Sequence, residues 1–489
     1  MLVVLATLGD VSAASAHGET PDAEPHLTGI DCPDPLLAGA SDLTAGEDFT
    51  CAMLTVPRDH DDPNGPQLQL FTIELPSSSE TPALEPVIFL AGGPGQAGYP
   101  QLAQFSIESP EHTASFAQLR DTHDVILIDQ RGTGFSQPSL ACPDDEGLDC
   151  DDKSTYAGID LTAFTTRQNA ADIDVLRRAL GAESVNLVGT SYGSWLALAV
   201  MRDFPDTLRS VVLNSPVPPQ GNLFAGQLIA FQTALDASMA GCERDPECVA
   251  AYADLDLELV QVIAELNAEP WIVTLEDPGS GRTADVPIDG DTLMFVIYQM
   301  HFHGQFIPFV APLIASAATG SDHVLVELLP EVLQASASVS SIGFRYSVLC
   351  QDETPFTSEA EVFAVAKSAD VSDLVIEHGS LSTLTGIFDV CAAWDLAASP
   401  AIENEPVVGD APTLIMTGTY DPITPTSYGE DAMATLPNAT LVESGIAGHD
   451  PLSTSGDCGV SVMHSFLIDP EAVLDTSCLT DVRPDFSPE

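Results

Sequence analysis

Hydrophobic and polar positions along the chain follow two regimes. Two early runs, Thr50–Val56 and Leu68–Leu75, alternate, as an antiparallel edge hairpin with one covered face would. The next four, 87–90, 125–128, 185–188 and 210–213, are continuously apolar, the pattern of strands covered on both faces. Helical patterns separate several of them; within 166–180, Ile173, Leu176 and Leu180 share one face. That alternation predicts a parallel sheet. The pattern then changes. From 217 to 406 the periodicity is mainly helical, as at 223–240, 255–266 and 291–301. Strand signals return at 413–416 and 440–442.

The fold class expected is therefore α/β: a mostly parallel eight-stranded sheet flanked by helices, from 17–216 and 407–489. A large, mainly helical cap, 217–406, is inserted after the sixth strand. At roughly 190 residues it is too long for a bare loop, and insertions of that size are structured and functional.

Before the first strand, 1–16 reads as a secretory signal peptide, with an apolar core at Leu2–Ala6 and a small-residue ending at Ala14-Ser15-Ala16. Ten cysteines agree with export. They read as pairs of sequence neighbours: Cys32/Cys51, Cys142/Cys150, Cys242/Cys248, Cys350/Cys391 and Cys458/Cys478. Cys142/Cys150 and Cys242/Cys248 each close a short loop; buried free thiols are the alternative for some of them. No C-x-x-C pair is present, so no metal is expected.

Charge narrows the partners. Fourteen Lys and Arg stand against 73 Asp and Glu, a formal net charge of −59. Such a surface repels nucleic acid and anionic membranes, and neither is expected as a partner. Adaptation to salty surroundings and a lineage of acidic secreted proteins explain it equally well. The oligomeric state is left open.

Chemistry concentrates in Gly189-Thr190-Ser191-Tyr192-Gly193, between an apolar strand and a helical stretch. This is the context of a nucleophile elbow, which lifts a serine hydroxyl above the sheet edge. Acyl transfer also needs a base, an acid that orients it, and an oxyanion hole. In this chain order the acid comes next, then histidine. Asp421 follows the strand at 413–416, and His449 follows the last strand. The hole would use the backbone N–H of Tyr192 and one from Ala91-Gly92-Gly93-Pro94-Gly95, with Gly93 the first choice. Arg131, in Asp129-Gln130-Arg131-Gly132-Thr133-Gly134-Phe135-Ser136, reads as a scaffold cation paired to a carboxylate, and His301 and His303 as packing or surface residues.

Taken together, Gly92–Gly95, Asp129–Ser136, Gly189–Gly193 and Tyr420-Asp421-Pro422-Ile423-Thr424-Pro425 resemble the proline iminopeptidase family of the α/β-hydrolase fold, closest to its secreted tripeptidyl aminopeptidase branch. The resemblance covers most of the chain outside the cap. It implies a secreted, extracellular or periplasmic serine aminopeptidase without a cofactor, cleaving short peptides or proline from free N-termini through an acyl-enzyme on the triad Ser191, Asp421 and His449. A carboxylesterase acting on small esters through the same triad is the alternative. Two departures stand out: Gln96-Ala97-Gly98 where the family often carries a Gly-Ser pair, and Asp450 after the histidine. Asp450 is placed to raise the pKa of His449. An aminopeptidase must also hold a protonated N-terminus, and the expected carboxylates are Asp352 and Glu353 of the insertion, anchored by a Cys350–Cys391 bridge.

Overall fold

A computed structural model describes residues 25–487, apart from 38–39, 41, 80, 83–84, 108–113, 144–149, 253, 277–282, 336–339 and 380–385. The expected signal peptide, 1–16, lies outside the described residues.

The strands are β1 (Leu27–Ile30), β2 (Thr50–Pro57), β3 (Gln67–Leu75), β4 (Val87–Leu90), β5 (Val125–Ile128), β6 (Val185–Thr190), β7 (Leu208–Asn214), β8 (Trp271–Glu276), β9 (Thr283–Ile288), β10 (Thr413–Gly418) and β11 (Ala439–Ser444). Nine of them form one sheet in the order β1-β2-β3-β5-β4-β6-β7-β10-β11. The first three and the β3–β5 contact are antiparallel; from β5 to β11 the sheet is parallel. The sheet thus has one strand more than the eight expected. The additional strand, β1, lies outside β2, so β2 and β3 pair as a hairpin but β2 is not the edge.

Alternate residues of the central strands enter opposite cores. Val87 and Phe89 of β4, with Val125 and Leu127 of β5, pack on one face. Ile88, Leu90, Ile126 and Ile128 pack on the other. Both faces are covered, which is why these strands carry no polar alternation. Helix Gly456–Ile468 closes the first face through Val460, Met463 and Leu467. Helices Thr166–Ala179 and Tyr192–Asp203 close the second through Ile173, Leu176, Leu196 and Val200.

Between β7 and β10 the chain builds a separate core. Phe224, Leu228 and Phe231 of helix Leu223–Arg244 meet Leu259 and Ile263 of helix Leu255–Ala268 and Leu293 and Ile297 of helix Gly290–Phe302. The helical reading of this segment missed the antiparallel pair β8–β9. A further cluster seats the insertion on the sheet: Tyr192 and Trp195 pack with Phe344 and Trp394.

Five disulfides join Cys32–Cys51, Cys142–Cys150, Cys242–Cys248, Cys350–Cys391 and Cys458–Cys478. They are consistent with an oxidising compartment. No helix among the described residues is long and apolar enough to cross a membrane.

Candidate active site

The site gathers at the carboxyl ends of the parallel strands, where open α/β sheets place their ligands. Ser191 follows β6 at φ 57° and ψ −123°, a conformation a non-glycine residue holds only under constraint from its surroundings. The constraint is visible. The Ser191 N–H donates to the Asn214 carbonyl at 2.8 Å. A Cβ at Gly193 would overlap the Leu90 carbonyl, and one at Gly189 would overlap the Gly193 carbonyl. Only glycine permits helix Tyr192–Asp203 to start this close to the sheet.

Asp421 and His449 lie at the ends of β10 and β11 and are both almost fully buried. His449 Nδ1 is 2.8 Å from Asp421 Oδ2. The Asp421 carboxylate is held on both oxygens. Oδ1 accepts from the N–H groups of Ile423 and Thr424, at 2.8 and 2.9 Å. Oδ2 accepts from the hydroxyls of Thr424 and Ser215, at 2.5 and 2.8 Å. Burial raises the pKa of Asp421, but the His449 charge and these hydrogen bonds outweigh it, and the group is held below its ordinary range. For His449, burial lowers the pKa, and the charge and hydrogen bond of Asp421 outweigh that; Asp450 adds in the same direction, and the net shift is upward. The Asp450 carboxylate itself accepts from Asn214 Nδ2 and from the Ser453 N–H.

The insertion touches this centre directly. The His449 N–H donates to the Phe302 carbonyl at 2.9 Å, and the two rings sit 4.8 Å apart. On the other side, the Ser341 N–H donates to the Gly95 carbonyl at 2.8 Å. Between them lies a cavity of about 680 Å³ whose wall includes Ser191, Tyr192, Gly93, His303, Asp151 and Arg345. Tyr192 is the first residue of its helix, so its N–H has no intrahelical acceptor. Gly93 takes φ 109°, and a Cβ at Gly92 would sit 3.1 Å from the Ser191 Cβ, so the glycine loop runs against the serine. Burial, with His449 nearby, pushes the pKa of His303 down to about 4.

Asp352 and Glu353 do not reach this cavity. Both are buried in the segment Leu349–Glu353, and each faces the start of a helix. Asp352 accepts from the Thr166 N–H at 2.8 Å and from the Ser399 hydroxyl. Glu353 accepts from the Leu223 N–H at 2.9 Å. They satisfy the free N–H groups at two helix N-termini, where a carboxylate also meets the positive end of the helix dipole. Burial raises both, Asp352 above its usual range and Glu353 to about 8.

Arg131 pairs with the buried Asp172 at 2.7 Å and donates to the Arg58 and Ala163 carbonyls. His301 is buried between Ser238 Oγ and the Ile297 carbonyl, whereas His303 faces the cavity. Ser215 escaped the sequence reading, and Thr424 entered it as part of a motif with no role of its own. Ser215 directly follows β7, and that placement at a strand's carboxyl end was the available signal.

Comparison with known proteins agrees with this fold. Residues 85–259 match the alpha/beta hydrolase fold family, and residues 382–478 match the TAP-like protein family. The chain is 23% identical over 436 residues to the serine protease Hip1 of Mycobacterium tuberculosis, spanning 81% of this chain and 80% of the relative. It is 24% identical over 471 residues to a tripeptidyl aminopeptidase of Streptomyces lividans, spanning 86% and 85%. To the carboxylesterase B of Mycobacterium tuberculosis it is 26% identical over 490 residues, spanning 92% and 90%. With the alpha/beta hydrolase fold match on residues 85–259 and a mixed sheet flanked by helices, the chain has the α/β-hydrolase fold and is a serine hydrolase.

Proposed function

We propose that the protein is an exported serine peptidase that removes short peptides from free N-termini through an acyl-enzyme. The observation that carries the catalytic part is the strained Ser191 at the cavity wall, with Phe302 of the same wall packed on the ring of His449, which pairs with the buried Asp421. His449 takes the proton of the Ser191 hydroxyl as its oxygen adds to the scissile carbonyl. The N–H groups of Tyr192 and Gly93 hold the oxyanion. The amine then leaves with the proton from His449, and water, deprotonated by the same imidazole, releases the acyl group and restores Ser191. Residues 217–406 act as the cap over this site.

The TAP-like segment and the two peptidase relatives support a peptide substrate. Asp151, the one carboxylate among the described residues of the cavity wall, has the charge to face a protonated amine; its Oδ1 accepts from the Tyr346 hydroxyl at 2.7 Å. A carboxylesterase is the second reading. It is favoured by the esterase relative and by Asp352 and Glu353 facing helix ends instead of the cavity.

Three substrates separate the two: a tripeptidyl anilide with a free amine, its N-acetylated twin, and a short p-nitrophenyl ester. The peptidase reading expects preference for the free amine. Equal rates on the two anilides, with much faster ester cleavage, would establish the esterase. Activity surviving Ser191→Ala would remove Ser191 from either.

A further inference from the structure

The cavity wall carries a cation that the proposed reaction does not use. Arg345, in helix Ile342–Val348, is partly buried and lines the same cavity as Ser191. Its guanidinium forms no hydrogen bond or ion pair with any described residue. In this chain that is unusual. Acids outnumber bases by 73 to 14, and most of the described cations are engaged. Arg131, Arg167, Arg177, Arg178 and Arg202 all have carboxylate partners. Arg120, Lys153 and Arg483 donate to backbone carbonyls, and Arg244 and Lys367, whose side chains have no such bond to a described residue, are exposed to water. Burial lowers the pKa of Arg345, and the neighbours acting against it are the phenols of Tyr346 and Tyr298, not a carboxylate.

The wall it shares carries the apolar side chains Phe295, Phe302 and Ile387 and one carboxylate, Asp151, which accepts from Tyr346. A guanidinium in such surroundings lacks full hydration, and a planar anion would replace the lost water bidentately. Both phenols have other partners: Tyr298 takes a hydrogen bond from Gln227 Nε2 at 3.0 Å, and Tyr346 donates to Asp151 Oδ1 at 2.7 Å. The fork of Arg345 is left to a ligand.

We propose that Arg345 is the specificity residue for a carboxylate on the substrate, so that the cavity selects acidic or free-acid substrates. This rests on Ser191 being the nucleophile of the same cavity. The carboxylate could be a peptide's C-terminus, a side chain or the acid end of a half-ester. Three pairs of substrates tell these apart: tetra-alanine and its amide, anilides ending in glutamate and glutamine, and p-nitrophenyl hemiglutarate and butyrate.

In at least one pair, wild type should prefer the acid, and Arg345→Gln should lower the acid-to-neutral ratio of kcat/KM by about 10–100-fold. Arg345→Lys should recover part of it. An unchanged ratio in every pair overturns the proposal. Calorimetric titration with 4-phenylbutyrate and its amide decides the matter without turnover. The acid should bind wild type at least tenfold tighter than Arg345→Gln, and the amide should not discriminate between them. Equal binding of the acid to both proteins overturns Arg345 even if Ser191 is active. Loss of turnover with that binding difference intact overturns the proposed reaction and leaves Arg345 standing.

Discussion

Ser215 Oγ lies 2.8 Å from Asp421 Oδ2, and the same hydroxyl accepts the Asp450 N–H at 3.0 Å. One side chain thus ties the carboxylate that orients His449 to the backbone just after that histidine. Ser215→Ala removes both bonds. The expected result is a kcat lower by roughly 10-fold with KM little changed, since substrate is not touched. Steady-state kinetics on the p-nitrophenyl ester would measure it, and an unchanged kcat would show that Asp421 needs no such brace.

Asp421 and His449 should act as a unit with Ser191. Asp421→Asn and His449→Ala are each expected to lower kcat on the order of 10⁴-fold, and the double variant should lose little more than the worse single one. Additive losses would separate the two residues.

The pH profile follows from His449. The base must be neutral to accept a proton, and its pKa is raised above 6.5 by Asp421. The kcat/KM of wild type should therefore climb with pH through a midpoint above 6.5. A midpoint below it would show that Asp421 does not stabilise the protonated imidazole.

Glu353 makes an opposite statement about stability. Its folded pKa, about 8, lies above the ordinary value of 4.5. The folded state then binds the proton more tightly than the unfolded chain. The stabilisation is complete below about pH 4.5 and fades as pH rises towards 8. Glu353→Gln should flatten that part of the Tm curve relative to wild type and leave KM for the free-amine anilide unchanged. A shift in KM would return Glu353 to the amine site.

Salt should raise Tm. At a formal charge of −59, self-repulsion is long-ranged when the screening length is about 30 Å, near 0.01 M, and short when it is about 3 Å, near 1 M. A melting series in NaCl across that range would read it; a flat series would mean that the acidic groups are too far apart to matter.

The central strands and the elbow were legible because their signals are local. Continuous apolar runs mark β4 to β7, and glycines flank Ser191 where any Cβ would strike backbone. β1 was not legible: it has four residues, most of them exposed, and no hydrophobic period to detect. The β8–β9 pair was lost among helical neighbours that share its apolar content. Asp352 and Glu353 failed for a different reason. Their partners, the N–H groups of Thr166 and Leu223, lie 186 and 130 residues away in sequence, and nothing near the acids announces a helix end there.

The hydrogen bond from the His449 backbone to the Phe302 carbonyl couples access to chemistry. Phe302 ends helix Gly290–Phe302, in the core of the insertion. If that helix lifted away to admit a bulky chain, the imidazole's own main chain would lose its anchor at the same moment. Entry by a swinging lid would therefore switch the base off, whereas entry through a fixed mouth would not. A substrate small enough to slip in end-first keeps the machinery set, and a folded protein segment does not. Exchange of the His449 amide with deuterium, slow at rest and no faster during turnover, would be the signature of that size filter.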